Sequence, residues 1–125
     1  MIKTDMQRAT GYSKIPNGNK RLVFISGPYK GKTEEEKRDN IWHAMRVAIR
    51  LWEKNWFVLT PHLNTANFEF YTNLDESVWL EGGLRMLECC QAIFMLRGWE
   101  SSAGSLMEYE RAQKLDKDIY YEDTS

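Results

Sequence analysis

A chain of 125 residues, 42% of them hydrophobic and 28% charged, has the size and composition of one globular domain. Its 17 basic and 18 acidic residues give a net charge of −1, which excludes the basic surface typical of proteins that bind duplex nucleic acid. The same composition is not that of a membrane protein, so we expect no membrane partner.

The first 20 residues are polar and are expected to form a flexible leader before a folded domain at 21–125. This segment lacks the apolar core of a signal peptide. Cys89 and Cys90 are adjacent, so they can neither close a useful disulfide loop nor provide the spacing of metal ligands. We therefore expect a reducing, cytoplasmic location and neither a metal nor a cofactor.

Strand and helix patterns alternate from residue 21 onward. The apolar run 22–25 predicts a buried strand closed by Ser26-Gly27-Pro28. Thr33 and Glu36 form a capping box for a helix to about Lys54, whose core-facing stripe is expected to include Trp42 and Trp52.

The second half of the chain continues the alternation. The predicted elements are a strand over 56–60, a surface loop over 62–73, a helix over 75–90, a strand over 92–96, a turn over 98–103, a helix over 106–115 and a strand over 118–121. This order predicts a single-domain α/β fold, a doubly wound parallel sheet of Rossmann or flavodoxin type with helices on both faces. Such sheets bind ligands beyond the carboxyl ends of their strands.

The segment 98–108 is the strongest candidate site, because a strand exit, a serine-rich turn and a helix start follow one another there. Free N–H groups and serine hydroxyls suit a phosphate. One turn into the helix, Glu108 shares a face with small residues, and the helix N-terminus favours its ionised form, as a nucleophile needs. A solvated glutamate beside a serine cap fits the same pattern. The candidate ligand contacts are Ser101, Ser102, Gly104 and Ser105.

The segment 26–33 differs from the phosphate-loop pattern GxxxxGK[ST] only at Ser26. Hydrolysis of ATP or GTP is therefore an alternative, although the strand over 93–96 runs into Arg97 rather than into the acidic residue that holds magnesium. We favour a turn in which Gly27 permits close backbone approach while Tyr29 and Lys30 line the pocket. The candidate ligand contacts in this turn are Ser26, Gly27, Tyr29 and Lys30. A plain turn with solvated lysines is the simpler alternative.

Three further side chains are candidate ligand contacts. His62 and Asn64 follow the second strand and can hydrogen-bond a sugar or a base, although a lone histidine is more often structural. Trp99, in the turn before the serines, can touch a ligand.

The ordered set SGPY, PHLNT and GWESSAGSLME after successive strands resembles the nucleoside 2-deoxyribosyltransferase-like superfamily, in particular its short phage and bacterial members. The likeness spans about Arg21 to Tyr121. It implies that Glu108, the glutamate of an S-x-G-x-x-x-E arrangement, attacks C1′ of a 2′-deoxynucleoside and expels the base. Ser102 resembles the phosphate-binding serine of the deoxynucleoside 5′-monophosphate N-glycosidases, which implies a nucleotide substrate.

Two departures from the family pattern concern acidic residues. Relatives often carry acidic residues at positions that here hold Gly83 and Gln91, so Glu81 or Asp75 is expected to supply a second carboxylate. The resemblance also implies a homo-oligomer, a dimer or larger, and the host cytoplasm if the chain is phage-encoded. The competing hypothesis is a non-catalytic protein that binds a nucleotide or a nucleotide signal on the same fold.

Overall fold

The computed structural model describes residues 8–9 and 15–122, and these form one parallel sheet with helices on both faces. In chain order the elements are β1 (Arg8–Ala9), β2 (Leu22–Ser26), α1 (Glu34–Glu53), β3 (Phe57–Leu59), α2 (Pro61–Asn64), α3 (Glu76–Glu88), β4 (Ala92–Met95), α4 (Ala103–Lys114) and β5 (Asp118–Glu122). Single 3₁₀ turns lie at Phe68–Phe70 and Trp99–Ser101. The predicted α/β fold is confirmed.

The strand order β1-β5-β4-β2-β3 places β4 and β2 in the middle of the sheet, and every pairing is parallel. Phe24 faces Ile93 across one pairing, and Ile93 faces Ile119 across the next. β4 is buried along its whole length, as is β2 from Val23 to Ser26. Strands buried on both faces read as continuous apolar runs, which is why the sequence predicted them.

Two cores lie on opposite faces of this sheet. Val23 and Ile25 point toward α1, whereas Phe24 and Ile93 point toward α3 and α4. Ser26 has the parity of Phe24 and therefore points toward α3 and α4. This parity decides which helices can build a site with Ser26.

The prediction that Trp42 and Trp52 pack into the core is wrong. Their side chains are 59% and 52% exposed. The helix begins as expected, with Thr33 Oγ1 accepting from the N–H of Glu36 at 3.1 Å. Its buried stripe is rotated away from the tryptophans, because the small and branched residues pack more closely on the sheet. The buried apolar residues of α1 are Ala44, Val47, Ala48 and Leu51.

The predicted surface loop over 62–73 is only partly a loop. α2 begins at Pro61, a residue favoured at the first position of a helix because its missing N–H has no partner there. This short helix was not predicted because its four residues and the polar Asn and Thr around them show no apolar periodicity. Among the described residues, no helix combines the length and the apolar character needed to cross a lipid bilayer.

The predicted leader contains both described and undescribed residues. Residues 1–7 and 10–14, like 123–125 at the other end, lie outside the described part of the chain, so the boundary at residue 20 stays a prediction. Ile15 is buried in the α1 core. The carbonyl of Pro16 accepts a 2.9 Å hydrogen bond from Trp56 Nε1, and Gly18 N–H donates to the carbonyl of Lys54 at 2.7 Å. The described end of the leader thus packs beside the start of β3.

Candidate active site

The centre of the candidate site is the carboxylate of Glu108, which α4 presents to the end of β2. Ser26 Oγ donates a 2.6 Å hydrogen bond to Glu108 Oε1. On the other side lies α3, where a Cβ added to Gly83 would be 3.3 Å from Glu108 Oε2. The side chain is therefore held between a strand end and the backbone of a neighbouring helix.

Burial, not the helix dipole, sets the protonation of this carboxylate. Burial raises the pKa of Glu108 to about 7, and the hydrogen bond from Ser26 lowers it by less. From the sequence, the helix N-terminus was expected to keep Glu108 ionised. Glu108 is the sixth residue of α4, however, and the dipole acts mainly within the first turn. The group therefore titrates near neutral pH.

The serine-rich turn forms the start of α4, as predicted. Ser102 is its N-cap, and its Oγ accepts from the N–H of Ser105 at 3.3 Å. Ser105 is buried, and within the described residues its Oγ has no hydrogen-bond partner. Ser101 is exposed. A Cβ added to Gly104, one turn before Glu108, would meet nothing within 4 Å, so there is open space on the Glu108 face of the helix.

The turn after β2 is held by its neighbours in the protein. A Cβ on Gly27 would lie 2.6 Å from the Cβ of Leu96. Gly27 therefore permits close packing between the segments that follow β2 and β4. The sequence had instead predicted that the small size of Gly27 lets a ligand approach the backbone.

His62 is buried behind this turn and holds its backbone. Its Nε2 lies 3.1 Å from the carbonyl oxygens of both Gly27 and Pro28, so this nitrogen carries the hydrogen and donates. Burial lowers the pKa of His62 more than these hydrogen bonds raise it, which keeps the imidazole neutral. The expected contact with a sugar or a base stays a prediction, whereas the hydrogen bonds give His62 a structural role.

Tyr29 connects the turn to the aromatic segment before α3. Its hydroxyl lies 2.9 Å from Glu69 Oε1 and accepts from the N–H of Asn67 at 2.8 Å. Buried Lys37 of α1 donates to Glu69 Oε2 at 3.1 Å. Glu69 itself went unnoticed in the sequence, because it lies in a stretch without a regular period.

Two lysines complete the same turn. Lys30 is exposed and forms an ion pair with Glu76 at the start of α3. The N–H of Lys32 donates to Glu36 Oε2 at 2.6 Å. In a phosphate loop, this backbone N–H would instead be free to donate to the phosphate of the ligand. Nothing in this geometry favours the NTPase alternative.

Comparisons with known proteins agree with this architecture. The family described as "Domain of unknown function (DUF4406)" matches residues 21–121. The chain belongs to this family. Among solved structures it is similar to a 2-desoxiribosyltransferase from Leishmania mexicana, with 19% identity and a TM-score of 0.56 over 81% of this chain. The chain covers 63% of that structure's length, and the likeness confirms the predicted superfamily resemblance in its fold. The search of curated proteins found no match.

The expected second carboxylates of this DUF4406 domain do not lie beside Glu108 in the structure. Asp75 is exposed and caps α3, accepting from the N–H of Ser77 at 3.0 Å. Glu81 is exposed, and two helical positions place it about 200° around α3 from Gly83. Asp75 is engaged in capping α3 and Glu81 faces solvent. This geometry therefore does not support the predicted catalytic role of either residue.

The two departures from the family pattern differ in their consequences. Gln91 Oε1 accepts from the N–H of Leu22 at 2.7 Å, which places Gln91 at the amino end of the sheet, opposite Ser26. Gly83, by contrast, lies so near the Glu108 carboxylate that an added Cβ would be 3.3 Å from Oε2. Only the glycine therefore changes the immediate surroundings of Glu108.

Two remaining candidates lie elsewhere in this DUF4406 domain. Trp99 is half-buried, with its ring centroid 4.5 Å from that of Tyr109, and packs in the α3–α4 core. Asn64 lines a groove on the α1 side of the sheet. Within the described residues, no cluster of three His, Cys, Asp or Glu side chains is arranged to hold a metal ion.

The steric role of Gly27 leads to a prediction about stability. Gly27→Ala is expected to lower the free energy of unfolding by about 1–3 kcal/mol, because the new Cβ overlaps the Cβ of Leu96. Gly82→Ala is the matched control. A Cβ at Gly82 meets nothing within 4 Å inside α3, so alanine should add about 0.5–1 kcal/mol. Urea unfolding of the three proteins measures both changes, and equal midpoints would contradict the packing argument.

Proposed function

We propose that this domain cleaves or transfers the N-glycosidic bond of a 2′-deoxynucleoside 5′-monophosphate, with Glu108 as the nucleophile. The observation that supports this most directly is the partly buried carboxylate of Glu108, held by Ser26 Oγ at 2.6 Å at the carboxyl edge of a parallel sheet. The fold it shares with a 2-desoxiribosyltransferase agrees with glycosyl-transfer chemistry. Fold alone does not define a reaction, so the argument depends on the site.

The reaction follows the logic of a retaining glycosidase. Glu108 attacks C1′, so that a C1′–O bond forms while the C1′–N bond breaks. The departing base keeps the bonding electron pair and takes up a proton from solvent. Water or a second base then attacks C1′ and gives up a proton to solvent, the C1′–O bond breaks, and Glu108 is released as a carboxylate.

The start of α4 is suited to the 5′-phosphate of this substrate. Its backbone N–H groups and the helix dipole favour an anion. Ser105 Oγ, buried without a partner among the described residues, is available as a donor, and the hydroxyl hydrogen of Ser102 is free to point outward while its oxygen caps the helix. Tyr29 and Lys30, in the turn after β2, would contact the sugar and the base.

A direct test is incubation of the protein with the four 2′-deoxynucleoside 5′-monophosphates, followed by chromatography for free base. The matched ribonucleotides and the unphosphorylated deoxynucleosides are the controls. We expect base release from at least one deoxynucleotide and a covalent sugar–protein adduct, detectable by intact-protein mass spectrometry under acid quench. Absence of free base from every deoxynucleotide would contradict the proposal.

The second candidate is a nucleotide-binding protein without catalysis. It is favoured by Gly83, which brings helix backbone to Glu108 where relatives carry an acidic side chain. Recovery of intact nucleotide from a tight complex would support this candidate. Release of base would exclude it.

A further inference from the structure

The outer face of α1 carries an apolar row that no other element in the described part of the chain covers. Trp42, Met45, Ile49 and Trp52 recur at alternating spacings of three and four residues, the pattern of a helix–helix seam. Trp42 is 59% exposed, Ile49 46% and Trp52 52%. We call these four residues the α1 seam. Tryptophans are among the residue types most enriched in binding hot spots, so their exposure indicates a contact surface.

A groove of about 410 Å³ lies beside the α1 seam, between α1, β3 and α2. Met45, Ile49 and Trp52 form its α1 wall. Leu63, 44% exposed, lines its α2 side, and Phe57, also 44% exposed, packs beside Trp52 with the two ring centroids 5.9 Å apart. Trp42 is not part of this lining, so it projects beside the groove rather than into it. A contiguous apolar surface of this kind usually marks an interaction site.

The charges that flank the α1 seam are complementary to those of an antiparallel copy of the same helix. Exposed Arg38 precedes the seam, and exposed Glu53, which also pairs with Arg50 of the same helix at 3.2 Å, follows it. In a twofold-symmetric pair each contact occurs twice, so antiparallel helices bring Arg38 of each copy to Glu53 of the other. A parallel arrangement would bring like charges together.

The same alignment gives Trp42 a place to bind. Because facing helices run in opposite directions, pairing Arg38 with Glu53 also sets Trp42 of one copy against Ile49 of the other. Ile49 lines the groove, so the projecting indole meets an apolar recess. Charge and shape therefore favour the same arrangement.

We propose that the α1 seam binds a second copy of this chain, antiparallel across a twofold axis, with Trp42 of each copy seated in the groove between α1, β3 and α2 of the other. This surface lies on the sheet face opposite α3, α4 and Glu108. The interface leaves the Glu108 site uncovered, and the proposal does not depend on the proposed function.

Sedimentation of the full chain over a concentration series tests the proposal. The wild-type protein is expected to form dimers. Trp42→Ala should raise the dimer dissociation constant at least about 100-fold, because it removes a hot-spot side chain twice. Tyr71→Ala, which truncates an 87% exposed aromatic outside α1, is the matched control and should leave the constant unchanged. A protein that stays monomeric, or dimers that tolerate Trp42→Ala, would overturn the proposal.

A charge swap tests the antiparallel arrangement. Arg38→Glu should weaken the dimer roughly tenfold, because it places glutamates opposite each other at both ends of the seam. Adding Glu53→Arg should restore the dissociation constant to within a few-fold of the wild-type value. If the double variant is no tighter than Arg38→Glu alone, the antiparallel arrangement is wrong. Circular dichroism confirms that each variant is folded.

Discussion

Replacement of Glu108 by glutamine is expected to reduce release of free base from a 2′-deoxynucleotide by at least about 10³-fold, as loss of a covalent nucleophile does in other enzymes. Glutamine keeps the size of the side chain and an oxygen that can accept from Ser26 Oγ, the 2.6 Å partner of the native carboxylate. It cannot form the ester with C1′. Single-turnover assays with an excess of protein measure this loss without interference from product release.

Glu110→Gln is the control for this experiment. Glu110 lies two residues further along α4 and is exposed, so its neutralisation removes the same charge without touching the site. Activity should stay within about twofold of the wild-type value. Nucleotide binding by the Glu108→Gln protein is expected to persist, because the start of α4 is unchanged. Full base release by Glu108→Gln would exclude Glu108 as nucleophile.

The fold was predictable because its two inner strands, β2 and β4, are buried on both faces. The runs 22–25 and 92–95 are apolar without interruption, and such runs leave little freedom in where the strands lie. The orientation of α1 was less predictable. Its sequence contains two overlapping apolar stripes, and only packing against the sheet selects the one with Ala44, Val47 and Leu51.

In the candidate site, too, local sequence patterns predicted the residues, whereas their surroundings depend on tertiary packing. Ser26 and Glu108 were both named from their positions at strand and helix ends, and the parallel sheet brings them together. The closeness of Gly83 to the Glu108 carboxylate depends on the packing of α3 against α4, which no local sequence pattern predicts. The raised pKa of Glu108 has the same origin, because burial by several elements is a tertiary property.

Burial of Glu108 is also expected to make the free energy of unfolding depend on pH. Between its ordinary pKa of 4.5 and its raised pKa of about 7, the folded protein keeps a proton on this carboxyl that the unfolded chain has lost. The folded state then binds more protons, so the free energy of unfolding falls as pH rises through this interval. The rise in pKa corresponds to roughly 3 kcal/mol above neutral pH.

Glu108→Gln should therefore be more stable than the wild-type protein by roughly 3 kcal/mol at about pH 8, with the gain disappearing toward about pH 4.5. Urea unfolding of both proteins at several pH values measures the difference, and groups that the two chains share cancel in the comparison. Glu110→Gln, on the exposed face of α4, should show no such pH dependence. A constant difference between pH 5 and pH 8 would mean that the carboxylate is not desolvated. A gain that grows with pH, together with loss of base release, would indicate that the buried carboxylate is maintained for its chemistry at a cost in stability.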